Sequence, residues 1–415
     1  MFNLATKLSR LARGRYHSPT VVRLFSTKLH HHFKPNPVAL QIIDYAFSLS
    51  RSQKSDESYG QGLLVLEQCE SNQHDGNSKG LVLLAMSTLL SERGNFLEAI
   101  EKLNTIKDLK VSSFPLRVAT MEALAGLHLE LGEDDTSSVI ADVCLNDLDA
   151  NKPELDDGFG SLNARARALK GLTELVQGNT DSSQSCFTGA EDNLGIGNDA
   201  LSYAEFLHTT RDFETAKKLY ENVIKGIPEN KDYSDPYNLA AGNMVWEDIL
   251  LAATCGLGQL ESHMGNFGDA EEILTRALTM TEERFGSHHP KIGIILTCIA
   301  LMFRHKATME HSSSLMVQEG LYRRALELLK APQLETEGSV KKETVEQSKV
   351  YRKDIIALAR GGYAETLCVQ QNRKAVGEKM KRWAEGAWNN RRLSLSEALD
   401  LSKISIIDAR ISRAL

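Results

Sequence analysis

Apolar residues along this chain recur at helical spacing in paired stretches, each pair broken by a short polar turn, the pattern of helical hairpins. The clearest pair occupies residues 254–290. There Thr254-Cys255-Gly256-Leu257-Gly258 lies ahead of a Gly265-Asn266-Phe267 turn, and Ala270, Leu274 and Ala277 carry one apolar face beyond it. Comparable turns stand at Gly94-Asn95-Phe96, Gly132-Glu133-Asp134, Gly178-Asn179-Thr180 and Arg211-Asp212-Phe213. Seven residues before each of the five turns is a small residue: Ser87, Ala125, Gly171, Ala204 and Gly258. Five residues after each is another: Ala99, Ser137, Ser183, Ala216 and Ala270. Twelve residues after come Ile106, Cys144, Ala190, Val223 and Ala277, all apolar. Small side chains where two helices cross let the backbones approach and the larger flanking residues interlock. One such hairpin cannot bury its apolar face alone, so copies must stack.

This pattern resembles the tetratricopeptide repeat, and the resemblance covers most of the chain after Gly80. The best individual match is Ala216, Tyr220, Val223 and Pro228; the poorest is residues 171–190, whose first helix carries Arg167 and Lys170 at usually apolar positions. The turn-to-turn intervals are 38, 46, 33 and 54 residues rather than a uniform period. In the second half, Arg276-Ala277-Leu278, Glu282-Glu283-Arg284-Phe285-Gly286, His288-His289-Pro290 and Ile299-Ala300-Leu301 resemble the longer repeats of kinesin light chains. A Leu-Gly-x-x-His-Pro-like link joins hairpins in that family; here Phe285 replaces the Leu, while Gly286, His289 and Pro290 match. The resemblance implies an all-α fold, a right-handed α-α superhelix of about seven to eight hairpins over residues 38–390.

The two ends differ from the middle. A first, degenerate hairpin joins Ile42, Ile43, Tyr45, Ala46 and Leu49 to Leu63, Leu64, Leu66 and Cys69, as a terminal repeat would. At the other end, Ser394 and Glu397 have capping-box spacing, and Ile404, Ile407, Ile411 and Leu415 form one stripe at helical spacing. That predicts a capping helix over 391–415 that covers the end of the stack, or one that docks into a partner's groove.

Charge changes the picture at the amino terminus. Residues 1–43 hold Lys7, Arg10, Arg13, Arg15, Arg23, Lys28 and Lys34 and no acid. Leu4, Leu8, Leu11 and Ala12 share one helical face and Lys7, Arg10 and Arg13 another. Arg23-Leu24-Phe25 before Ser26-Thr27 resembles the processing site of plant mitochondrial presequences. The expectation is a transit peptide over 1–25, a linker over 26–37 that includes His30, His31 and His32, and a mitochondrial protein, in the matrix rather than the intermembrane space. Loss of residues 1–25 removes five basic residues and no acid, taking the formal charge from −7 to −12. So acidic a chain is a poor nucleic-acid binder. The longest apolar run, residues 292–303, is too short to span a bilayer and reads as a core helix. The six cysteines are isolated in sequence, with no C-x-x-C, and read as small core residues.

Catalytic signatures are absent from the sequence: no Walker motif, no G-x-S-x-G, no H-E-x-x-H and no complete dinucleotide fingerprint. The acids of residues 147–157 alternate as in a calcium loop, but Lys152 and Gly158 stand where such a loop needs Gly and Glu. His263, His288, His289, His305 and His311 cluster in sequence, yet hairpins would scatter them over different faces. No metal and no cofactor is expected. The expectation is a non-enzymatic scaffold that takes a protein or peptide in a concave groove made by the first helices. Glu122, Glu130, Glu205, His208, Gln259 and His263 are the groove positions inferred. Tetratricopeptide co-chaperones place Lys, Arg and Asn there; acids and polar groups instead point to a basic or mixed-charge segment. The alternative is an organellar RNA-binding repeat protein, against which stand the acidic charge and the irregular period.

Overall fold

The computed structural model describes residues 35–109, 112–151, 159–188, 195–227, 233–239, 244–334 and 352–415. The basic stretch 1–25 and the histidine triplet lie outside them. Eight consecutive hairpins make up the described chain as far as Ala387. They are α1 (Pro37–Gln53) with α2 (Asp56–Ser71), α3 (Gly76–Glu92) with α4 (Phe96–Lys107), α5 (Phe114–Leu131) with α6 (Asp134–Ala150), and α7 (Phe159–Val176) with α8 (Thr180–Phe187). There follow α9 (Asn198–Thr209) with α10 (Phe213–Gly226), α11 (Trp246–His263) with α12 (Phe267–Phe285), α13 (Pro290–Met309) with α14 (Leu315–Leu328), and α15 (Lys353–Cys368) with α16 (Lys374–Ala387). Each hairpin packs on the next, so the fold is an all-α helical-repeat solenoid.

The five turns have one backbone geometry. Gly94, Gly132, Gly178 and Gly265 adopt φ between +76° and +85°, the left-handed region that glycine enters without a Cβ clash. The next amide returns to the carbonyl five residues back, as Asn95 to Leu90 and Asn266 to Glu261, both at 2.9 Å. Arg211 takes the same conformation, at φ 72°. Its guanidinium reaches the carbonyl of Ser402, a contact that glycine could not supply.

Small residues meet at the crossings. The Ser137 hydroxyl donates to the Ala125 carbonyl at 3.1 Å, and Ser183 to Gly171 at 2.8 Å. A Cβ on Gly258 would lie 2.7 Å from Leu274 Cγ. Ser87, Ala99, Ala204, Ala216 and Ala270 are fully buried. Three hairpins outside the sequence register show the same approach. A Cβ on Gly62, Gly293 or Gly377 would sit 2.8 Å from the carbonyl oxygen of Ala46, Ala325 or Ala364 respectively.

The hairpins form two layers. First helices after α1 are buried over most of their surface: α5 buries 13 of its 18 residues, whereas α4 buries only 4 of 12 along one stripe. α13 is long and apolar enough to cross a membrane by length and composition, but residues 291–300 and Met302 are buried in the stack, as in a core helix. The inner layer curls until distant hairpins touch. Glu92 on α3 accepts from Arg51 at 2.6 Å, from Arg284 of α12 at 3.1 Å and from the Tyr59 hydroxyl at 2.9 Å. Arg284 also pairs with Asp248 at 2.8 Å, and His289 caps α13 while its Nε2 meets the Glu92 carbonyl at 3.1 Å.

The final segment departs from the expected capping helix. Ser394 and Glu397 do form a capping box, but the helix they start, α17 (Leu395–Ala398), lasts one turn. After it the chain extends into an antiparallel pair, β1 (Ile407–Asp408) and β2 (Arg413–Ala414), with Ile406 and Leu415 exchanging backbone bonds at 3.1 and 2.7 Å. Isoleucine-rich sequence suits extended structure. A helix would bury one stripe; the hairpin buries Ile404, Ile406, Ile407, Ile411 and Leu415 together, inside the solenoid.

Candidate functional site

The first helices present an inner surface, and in this structure residues 404–415 of the same chain lie on it. Contact begins at Gln259 on α11. Its side-chain amide accepts from the Ile407 amide at 2.8 Å and donates to the Ile407 carbonyl at 3.0 Å. A primary amide paired in both directions with the N–H and C=O of one residue mimics a neighbouring strand, and it reads backbone rather than side chain.

Two arginines carry the rest. Arg410, fully buried, pairs with Glu205 of α9 and with Asp408 at 2.9 Å, and donates to Asn198 and to Ser202 at 3.2 Å. Asp408 also accepts from the Arg410 amide at 2.7 Å, fixing the hairpin bend. Arg413 lies between Asp354 of α15 and Asp134 of α6, 2.6 Å from each, and donates to the Leu129 carbonyl at 3.1 Å. Ser412 donates to Glu130 at 3.1 Å, whose carboxylate also takes Arg352 at 2.8 Å. Among the described residues the only ion pairs of Glu205, Asp134 and Asp354 are with these two arginines.

Burial sets the electrostatics. Glu205 is held well above the usual carboxylate range, because desolvation and the Asp408 charge together outweigh Arg410. Two carboxylates thus share one guanidinium in a dry site. His208, His263 and His305 continue the inner surface: His208 Nε2 lies 2.8 Å from His263 Nδ1, and the rings of His263 and His305 are 6.3 Å apart. Desolvation, then the neighbouring ring, keeps His208 well below its ordinary value and brings His263 to about 3. Both imidazoles are therefore neutral, one donating to the other.

All six groove residues inferred from sequence are inward, but they are not free. Glu130, Glu205 and Gln259 hold the hairpin. Glu122 instead pairs with Arg165 at 2.8 Å and accepts from Asn198 at 2.9 Å. Arg165 stacks 3.4 Å over the ring of Tyr237, in an inserted stretch that crosses the first hairpins, where Leu239 accepts from Thr88 at 2.8 Å. His208 and His263 bond each other. The structure brings His263 and His305 together, correcting the expectation of scattered histidines, while His288, His289 and His311 lie apart from them. No group of three or more His, Cys, Asp or Glu among the described residues could hold a metal ion. Cys255 and Cys298 are buried with their sulfurs 3.4 Å apart.

Asp134, Asp354, Asn198, Ser202, Arg410 and Arg413 escaped the sequence reading. Two arginines in an otherwise isoleucine-rich stretch were the available signal, since buried cations need partners.

A family model described as tetratricopeptide repeat matches residues 250–291, which take in most of α11, all of α12 and the start of α13. No curated protein matches the chain. The match and the stacked hairpins together support a tetratricopeptide-type repeat protein, a class of interaction scaffold.

Proposed function

We propose that this protein is a non-enzymatic scaffold that holds a segment of a partner protein on the inner surface of its solenoid, in mitochondria, for the assembly or upkeep of an organellar complex. The groove carries this reading. Its acids and its Gln259 amide come from separate hairpins, converge on one extended segment, and are seen holding one. The repeat match supports a protein partner. The acid-free, basic and amphipathic stretch 1–25 supports mitochondrial import.

Affinity purification of the tagged chain from isolated mitochondria tests both halves. A protein partner in near-stoichiometric amount is expected. Recovery of no protein above background would overturn the scaffold role, and a chain found only outside the organelle would overturn the compartment. Filter binding to single-stranded RNA is expected to show no tight, salt-sensitive complex.

A further inference from the structure

We infer that the groove is a receptor for a two-arginine segment of a partner protein, and that residues 404–415 hold its place until that segment displaces them. This rests on the scaffold reading above and specifies the partner's chemistry.

Charge is the first ground. Without the hairpin, Glu205, Asp134 and Asp354 would stand on one inner surface stripped of their ion pairs, each fixed by a different hairpin of the solenoid. A permanent plug gains little from such pairs, because apolar residues of similar volume fill an interior at least as well. Paired acids at fixed spacing confer selectivity for what enters. They select Arg-x-x-Arg.

The occupant's form is the second ground. The hairpin is organised by its own bonds, between Ile406 and Leu415 and between Asp408 and Arg410, so it seats and leaves as one unit. Asp400, Ser402 and Lys403, just before it, are exposed and polar, and with the Arg211 bond to the Ser402 carbonyl released they form a hinge on which it can swing. Gln259 clamps the N–H and C=O of one residue, which any extended segment supplies. A small cavity of about 50 Å³ lies where residues 398–405 meet Gln259, His263 and His305. The fitting partner segment therefore carries two arginines three residues apart, flanked by isoleucine or leucine, and forms a hairpin.

The test uses the full chain and a fluorescein-labelled peptide of sequence 404–415. A tethered occupant competes at roughly millimolar effective concentration, so the unaltered chain binds the peptide weakly. The full chain carrying Arg410→Gln and Arg413→Gln keeps every acid of the α-helical groove and should bind the peptide at least ten-fold more tightly. The same peptide with both arginines replaced by glutamate should bind neither chain. Equal affinity of the two chains, or equal binding of the two peptides, overturns the inference. So does a dimer of the unaltered chain by light scattering, which would make a second copy the occupant. If the double variant does not fold, hydrogen exchange on the unaltered chain decides. Amides of residues 406–415 must exchange at least ten-fold faster than those of α5 and α11, and equal protection would make the hairpin a fixed core element. Failure here, with a partner still captured from mitochondria, would leave the scaffold role standing and move the contact to another surface.

Discussion

At the scale of single residues, space and charge give opposite signs to similar substitutions. Gly320 lies exposed within α14 with nothing near its missing Cβ, so Gly320→Ala should stabilise by about 0.5–1 kcal/mol through helix propensity alone. Gly293→Ala gains the same propensity but drives a methyl against the Ala325 carbonyl, and Ala270→Leu overpacks a closed crossing; each should destabilise by about 1–3 kcal/mol in urea unfolding. The buried histidines set the acid limb. His208, His263 and His289 are all held neutral, His263 and His289 at about 3, chiefly by burial. The unfolded chain takes up their protons near pH 6.5 and the folded chain does not, so stability falls as pH drops below 6.5. Each contributes about 1.4 kcal/mol per pH unit until its folded value is approached. Glu205, raised rather than lowered, works the other way, losing stability as pH rises from the ordinary carboxylate range. Urea titrations between pH 7.5 and 5 should thus show a shallower slope for His263→Gln and a steeper one for Glu205→Gln. Identical slopes in all three proteins would refute this assignment.

At the scale of elements, the helices were legible and the last segment was not. The turn glycines and small crossing residues are local signals, set by backbone conformation and by contact between neighbours twelve residues apart, so a single sequence displays them. Residues 404–415 carry a helical stripe too, yet their partners lie on α5, α6, α9, α11 and α15, and tertiary burial decided between helix and hairpin. The groove acids were readable as inward positions on first helices; that the chain itself supplies their cations was not. Removal of one partner from a buried pair costs about 3–5 kcal/mol, so Arg410→Ala and Arg413→Ala should each lower stability by roughly that amount. Arg391→Ala, which breaks an exposed pair with Asp135, should leave the thermal midpoint unchanged. A comparison of the three by calorimetry separates the seated hairpin from the surface beside it.

At the scale of the whole molecule, one carboxylate joins the two halves. Burial alone would raise Glu92, but Arg51 and Arg284 outweigh it and hold the group at about 2. It stays charged across the physiological range. Glu92→Ala should cost about 3 kcal/mol, the low end for a broken buried pair, because Arg51 and Arg284 keep Glu247 and Asp248. It should also loosen the curl, seen as a larger radius of gyration in solution scattering. An unchanged radius would mean that the curl is set by helix packing alone.

Open repeat arrays fold and melt like a zipper, since each unit touches only its neighbours and any segment can nucleate. This chain has bonds that span 192 residues at Glu92 and 279 at Arg413. Such contacts carry a heavy loop-closure cost, so they form late, and they tie the fate of the first hairpins to that of the last. Loss of any one repeat then withdraws support from a distant one. Denaturation should proceed as a single sharp transition rather than by fraying inward from the ends.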